Sequence, residues 1–212
     1  LVLLLLVAAM LVAMEKRLNK RGSAMRLLVR LSRVIYGLPG TVIAQGIFIV
    51  SIAVEFILGW NLLAGGSIAL LLFACSTRFY IIAGGTIESG MDKISPQLDV
   101  AARLAAVSPL ARFGRIYLPL LRSATAATAV MLFLEGIKEL PMTLVLRPFN
   151  FETLATVIYQ YASDEALLLA APAALLLVAL AAGAVTLLFL FEGDDTNNNR
   201  QQGQRAETIV NA

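Results

Sequence analysis

Long apolar runs alternate with short polar ones along this chain. "LVLLLLVAAMLVAM" occupies 1–14, and comparable runs recur at 38–60, 63–84, 123–146 and 166–191. A helix that crosses a bilayer needs roughly 20 mostly apolar residues, so the pattern predicts five spans and an all-α, polytopic transmembrane helical bundle. The last run is the cleanest, interrupted only by Pro172, Gly183 and Thr186. The run at 123–146 is anomalous, because "LEGIKELPMTLVLRPFNFET" (134–153) sets Glu135, Lys138, Glu139 and Pro141 inside it. With no initiator Met, the first run reads as the clipped end of a spanning helix; a signal peptide would need a basic start and a small-residue cleavage site.

The polar stretches carry the orientation. Lys and Arg collect in short cytoplasmic loops. Seven lie in 15–37 (Lys16, Arg17, Lys20, Arg21, Arg26, Arg30, Arg33), five in 85–122 (Lys93, Arg103, Arg112, Arg115, Arg122), and Arg200 and Arg205 lie in the tail. Both loops and the C-terminus are therefore expected on the cytoplasmic side. Arg78 reads as lying near the inner end of its span, where it can snorkel. Lys138 sits inside a span and Arg147 at an outer end. The tail "EGDDTNNNRQQGQRAETIVNA" (192–212) is polar, without apolar periodicity, and is expected to be disordered.

Composition narrows the chemistry. The chain is 59% hydrophobic and 15% charged, against about a quarter charged in soluble domains, and its mean hydropathy is +0.82. There is no His and one Cys, Cys75, so His-based zinc sites, Cys-His or Ser-His nucleophilic pairs and an internal disulfide are excluded. Cys75 reads as a small buried hydrophobe. No G-x-x-x-x-G-K-[ST] occurs, so any ATP must be handled by a partner. The net charge of +3 follows the loops and forms no separate basic domain, which argues against nucleic acid. "ATAATA" (124–129) supplies small residues for close helix packing.

The loop 85–122 is too long for a simple connector. Within "SGMDKISPQLDVAARLAAVSPLARFGRIYLPLL" (89–121), Ser95-Pro96 and Ser108-Pro109 each read as a helix start, a capping hydroxyl followed by a proline whose missing N–H the first turn does not need. The first helix is expected over about 96–107, with Asp99 in its first turn, and a short second helix follows. It fits either an amphipathic helix resting on lipid or a rigid knob docking into a partner, where alanines permit close approach and Arg103 offers a charged rim contact.

In the anomalous span, Glu135, Lys138 and Glu139 fall at i, i+3 and i+4, on one helical face. A charge at the bilayer centre costs at least about 2.5–3.5 kcal/mol, so this face should meet protein or a wet cavity. Pro141 frees the carbonyl of Ile137 and permits a kink. The group reads as an ion-pair cluster locking the helix to its neighbours, with Arg78 a possible partner, as part of a translocation path or gate, or as charges near an interface. With Lys138 between them, the two carboxylates are not assigned as metal ligands. Tyr159, Tyr161, Asp164 and Glu165, in an outer loop, read as interfacial anchors or as a docking surface.

The cytoplasmic loop resembles the signature of ABC-importer permeases, E-A-A-x-x-x-G followed ten positions later by I-x-L-P. Val100-Ala101-Ala102, Ala106, Ile116, Leu118 and Pro119 match its spacing, with Val100 in place of Glu and Ala106 in place of Gly; Asp99 is acidic one position early. "YGLPGTVIAQG" (36–46), "RFYIIAGGTIESGMDKISPQLDVAAR" (78–103) and "KELPMTLVLRPFNFETLAT" (138–156) resemble, in order and spacing, the C-terminal half of ferric-iron-type permeases. The likeness covers roughly 30–191.

It implies a type I importer of the bacterial inner membrane, whose periplasmic binding protein delivers Fe(III) and holds it tightly. Two permease halves, fused or separate, would form the path, and two ATPase subunits would use the ATP. The chain itself would be a transport subunit, without enzymatic activity and binding no cofactor. The transmembrane permease domain would occupy 1–191 with its coupling loop at 85–122. Asp99 to Arg103, Ala106, Ser108, Pro109, Ile116, Leu118 and Pro119 would meet the ATPase. Thiamine, polyamine or phosphonate remain alternative substrates. A secondary carrier taking protons on Glu135 and Glu139, or a membrane scaffold that transports nothing, are the rivals from other classes.

Overall fold

The computed structural model describes residues 1–18, 36–59, 67–104 and 108–210, with all their side chains except those of 14–18, 191–210, Pro96, Asp99, Ala102, Arg103, Pro109 and Leu110. Most of the basic segment 15–37, and Ala106, lie outside the described residues. As the apolar periodicity predicts, the described chain is helical: α1 Val2–Leu18, α2 Gly40–Leu58, α3 Ile68–Asp92, α4 Pro96–Leu104, α5 Pro109–Arg112, a π turn Phe113–Tyr117, α6 Leu118–Leu120, α7 Arg122–Ile137, α8 Pro141–Leu146, α9 Leu154–Ser163 and α10 Leu167–Val210.

The organising element is α3. Ser67 caps it, its hydroxyl accepting from the Leu70 amide at 3.2 Å. Leu71, Cys75, Phe79, Ala83, Ile87 and Met91 are all buried. Their spacing of four forms one continuous ridge. Leu5, Ala9 and Ala13 of α1, at the same spacing, are buried in the same core. On another side α7 comes close enough that a Cβ on Gly90 would lie 2.9 Å from Ala124 Cβ and Leu121 Cδ2. The small residues of 124–129 thus serve helix packing, and Thr125 and Thr128 return their hydroxyl protons to the carbonyls of Leu121 and Ala124. Such side chains pack closely without leaving a polar group unpaired in an apolar medium.

Where the sequence predicts five spans, three described helices are long and apolar enough to cross a membrane: Gly40–Leu58, Ile68–Asp92 and the Leu167–Leu190 part of α10. A fourth span results if Phe113–Leu120 and Arg122–Ile137, bent by 66°, count as one; the apolar stretch of α1, Val2–Ala13, is shorter. The Leu167–Leu190 span is apolar all round and buries almost nothing within the chain, the signature of a surface left to lipid or another subunit.

Two boundaries move. The span expected to stop at residue 84 runs on to Asp92. Its 25 residues give a length of about 37 Å, more than the roughly 30 Å of hydrocarbon that a perpendicular span needs. Arg78 lies near the middle of this helix and not at its end, and the connecting loop begins at Lys93. The expected span 123–146 is not continuous: α7 ends at Ile137 and α8 restarts at Pro141. Beyond Leu190 the backbone of α10 stays helical to Val210, into the segment expected to be disordered.

Candidate functional site

The break after α7 reorganises the charged group. Pro141 has no N–H and its ring would clash with the carbonyl of Ile137, so α7 stops and the proline opens α8 as its first residue. Pro141, read from the sequence as permitting a kink, is the start of a new helix. Glu139, in the break, turns inward. Its Oε1 accepts from the Met142 amide at 3.1 Å, and its backbone carbonyl accepts from Thr143 Oγ1 at 3.0 Å. The carboxylate thereby satisfies a free amide of α8 and places negative charge at the helix N-terminus, where it is favoured.

Its other oxygen, Oε2, accepts from Arg78 Nη1 at 3.3 Å. The side chains of Arg78 and Glu139 are 24% and 8% exposed, so the pair ties α3 to the α7–α8 break in a poorly solvated place. Gly40, the first residue of α2, makes room for it: a Cβ there would fall 2.5 Å from Arg78 Nη1 and 3.4 Å from Met142 Cγ. Lys138 turns the other way and pairs with Glu135 at 2.8 Å at a wetter position. The expected single charged face is thus two separate ion pairs, because residues 138–140 leave the helix. Glu139 has both oxygens engaged by the chain itself.

Beyond the end of α3, α4 and α5 begin where the two Ser-Pro signals predict. Ser95 Oγ accepts from the Gln97 amide and Ser108 Oγ from the Ala111 amide, each at 3.3 Å. The helix expected to reach 107 is described only to Leu104, with 105–107 outside the described residues. On α4, Val100, Ala101 and Leu104 are exposed. After α5 the chain widens into the π turn, in which the Leu118 amide reaches back to the Phe113 carbonyl. Pro119 is the physical cause, since it cannot donate to the carbonyl of Arg115 and the ladder must absorb the mismatch. The buried Tyr117 and Leu121 anchor this elbow, while Leu118 and Pro119 are exposed and Ile116 is half-buried. Arg112 is buried to 7% exposure, and its Nε and Nη1 find no hydrogen-bond partner among the described residues.

The turn between α8 and α9 is braced. Arg147 pairs with Glu152 and donates to the Phe151 carbonyl at 3.3 Å. Thr156 Oγ1 donates to Glu152 at 2.7 Å, and Thr153 with Thr156 forms a reciprocal capping box at the start of α9. The Arg147 and Thr156 hydrogen bonds hold the Glu152 carboxyl below the usual carboxylate range. The turn presents Phe149 at 92% exposure. Tyr159 and Tyr161 lie on α9 itself, and Asp164 and Glu165 form the turn into α10.

Sequence reasoning read Gly40 only as part of a span start ("GLPG", 37–40) and Arg112 only as a basic loop residue, and it singled out neither Tyr117 nor Leu121. Only Arg78 among the partners of the charged span carried a signal, as an arginine inside an apolar run.

Broken spans, an intramembrane ion pair and an elbow of short helices at one end describe a transport subunit of the membrane. Residues 6–194 match the family of binding-protein-dependent transport system inner membrane components, and the chain belongs to that family. These are permeases of the ABC type I class, transport subunits and not enzymes. Among curated relatives, the chain is similar to the Fe(3+)-transport system permease protein FbpB 2 of Haemophilus influenzae (strain ATCC 51907 / DSM 11121 / KW20 / Rd), 26% identical over 135 residues. The matched stretch covers 64% of this chain and 26% of that protein, so the chain spans only part of the length of its relative.

Proposed function

We propose that this chain forms one half of the translocation path of an ABC importer for ferric iron, working with a second permease half, a periplasmic binding protein and separate ATPase subunits. The observation that best supports it is the elbow between α3 and α7. Two Ser-capped short helices project from the end where α3 emerges, expose Val100, Ala101 and Leu104, and are joined to α7 through the buried Tyr117 and Leu121. A push on α4 would then be carried into the span holding Glu135 and, just beyond its end, Glu139. Asp99, Val100, Ala101, Ala102, Arg103, Ser108 and Pro109 would meet the ATPase, and Ile116, Leu118 and Pro119 would pass the motion inward.

The Arg78–Glu139 pair, with Lys138, Glu135 and Pro141 beside it, would act as a gate element and not as a ligand set. Both carboxylates hold a cation of the chain, which disfavours the proton-carrier reading. The C-terminus would face the cytoplasm.

The test is recovery of partners from native membranes in mild detergent, with mass spectrometry, beside a variant carrying Ala102→Asp and Arg103→Glu. A P-loop ATPase recovered with the parent and lost with the variant is the expected result. Recovery with neither would sink the importer reading. Uptake of radiolabelled ferric iron that stops on ATP depletion, yet survives collapse of the proton gradient, would separate iron import from the carrier alternative.

A further inference from the structure

The end of α5 holds a charge that the described chain does not answer. Arg112 closes the single helical turn Pro109–Arg112, and it is withdrawn to 7% exposure. Its Nε and Nη1 are buried without a hydrogen-bond partner, and no carboxylate among the described residues pairs with it. A guanidinium stays protonated in any protein surroundings, so the strain is not relieved by losing the proton, as it would be for a buried lysine. What is missing is an acceptor that carries negative charge.

Little stands between Arg112 and an approaching surface. Ser108, four residues earlier and on the same side of this turn, is exposed, as are Gly114 and Arg115 just beyond. A rotamer change of the kind common at interfaces is enough to present the guanidinium. With Arg115 exposed beside it, the incoming partner meets positive charge first and is favoured if acidic. Val100 and Leu104 of α4 add exposed apolar area, and apolar area together with arginine is the composition of a protein interface. A helix resting on lipid would instead keep its cations in the headgroup water. The planar fork of a guanidinium matches a carboxylate.

We propose that Arg112 is the seat for an Asp or Glu side chain of the ATPase subunit. The permease alone carries the charge unpaired, and docking supplies its counter-charge at the foot of the elbow. This rests on the importer reading and adds to it a contact outside the signature residues Asp99 to Arg103. Its consequence is a pair of opposite signs: removing the charge helps the permease alone and harms the complex.

The experiment takes the P-loop ATPase recovered with the native permease, purifies it and titrates it onto the full native permease in detergent. Thermal unfolding of the permease without ATPase is measured on the same variants. Arg112→Met should raise the melting temperature of the permease alone while weakening ATPase binding roughly 30-fold or more, the lower end for truncating one member of a buried interfacial charge pair. Arg112→Lys keeps the charge without the fork and should retain a larger share of the affinity. Arg115→Ala, at an exposed position, should lose only a few-fold, and chiefly at low salt. Equal ATPase affinity of parent and Arg112→Met would overturn the proposal. So would a lower melting temperature for Arg112→Met alone, because the counter-charge would then lie within the permease. Unchanged ATPase binding with loss of retained phosphatidylglycerol in nanodiscs would assign the guanidinium to a lipid phosphate instead. Failure of the parent to recover any ATPase is a different result, and it removes the importer reading itself.

Discussion

Two arginines of this chain sit in poorly solvated places, and they differ in whether a carboxylate is described opposite them. Arg78, halfway along α3, has Glu139 opposite it and Gly40 cut back to admit its guanidinium, although its Nε has no hydrogen-bond partner among the described residues. Arg112, at the end of α5, is more deeply buried, yet two of its nitrogens have no partner among the described residues. A buried charge costs several kcal/mol unless geometry and hydrogen bonds offset it. The Arg78 region thus brings a counter-charge to its arginine through the surrounding backbone, while none is found for Arg112 among the described residues. Intramembrane charge is compatible with a settled helix junction only where the chain breaks to bring a counter-charge to it.

The largest effect should come from cutting the pair. Glu139→Ala leaves Arg78 without its counter-charge and the start of α8 without its acceptor, and should destabilise the protein by about 3 kcal/mol, the lower end for a broken buried pair because Arg78 keeps some solvent. Thermal unfolding in detergent measures it. Glu139→Gln, which keeps an acceptor for the Met142 amide, should recover part of the loss. The double change Arg78→Met with Glu139→Met should be milder than either single charge removal.

Arg112→Met should have the opposite sign, stabilising by about 1–3 kcal/mol in the isolated subunit. Destabilisation would break the contrast, by showing that Arg112 has a counter-charge beyond the described residues.

Gly40→Ala comes next. Its Cβ would force the guanidinium away from Glu139, costing about 1–2 kcal/mol as overpacking. In an Arg78→Met background the cost should shrink, so the two changes should not add; a cost unchanged in that background would mean that the methyl group offends Met142 and not the ion pair.

The smallest effect belongs to the exposed outer turn. Because the native pKa of Glu152 is depressed, its contribution is fully present above the unfolded value of about 4.3 and is lost as pH falls through the native one. The melting difference between parent and Glu152→Gln should therefore be constant near neutrality and vanish in acid. A difference that grew on acidification would contradict the Arg147 and Thr156 assignments.

Much of this was legible in advance because it is local. The Ser95-Pro96 and Ser108-Pro109 starts were readable since a cap and its first turn lie within four residues. The small-residue run at 124–129 announced close packing. The far limit of α3 was misplaced because Glu88 and Asp92 lower the hydropathy of its last turns, although a helix does not have to end where its apolar run does. The grouping of Glu135, Lys138 and Glu139 on one face failed for a different reason: i, i+3, i+4 geometry holds only while the backbone stays helical, and the helix ends at Ile137, between the first and second of them.

By itself the sequence determined that this is a helical membrane protein, where its apolar segments run, which chemistries its composition forbids, and which loop resembles the importer signature. Those follow from periodicity, transfer energy and residue inventory, all additive along a chain. Only the tertiary structure decided that Glu139 belongs to Arg78 and Lys138 to Glu135, that Gly40 exists to admit a guanidinium from 38 positions away, and that Arg112 is withdrawn from solvent. Pairings of this kind depend on which helix faces meet, and no local term along the chain encodes that distance.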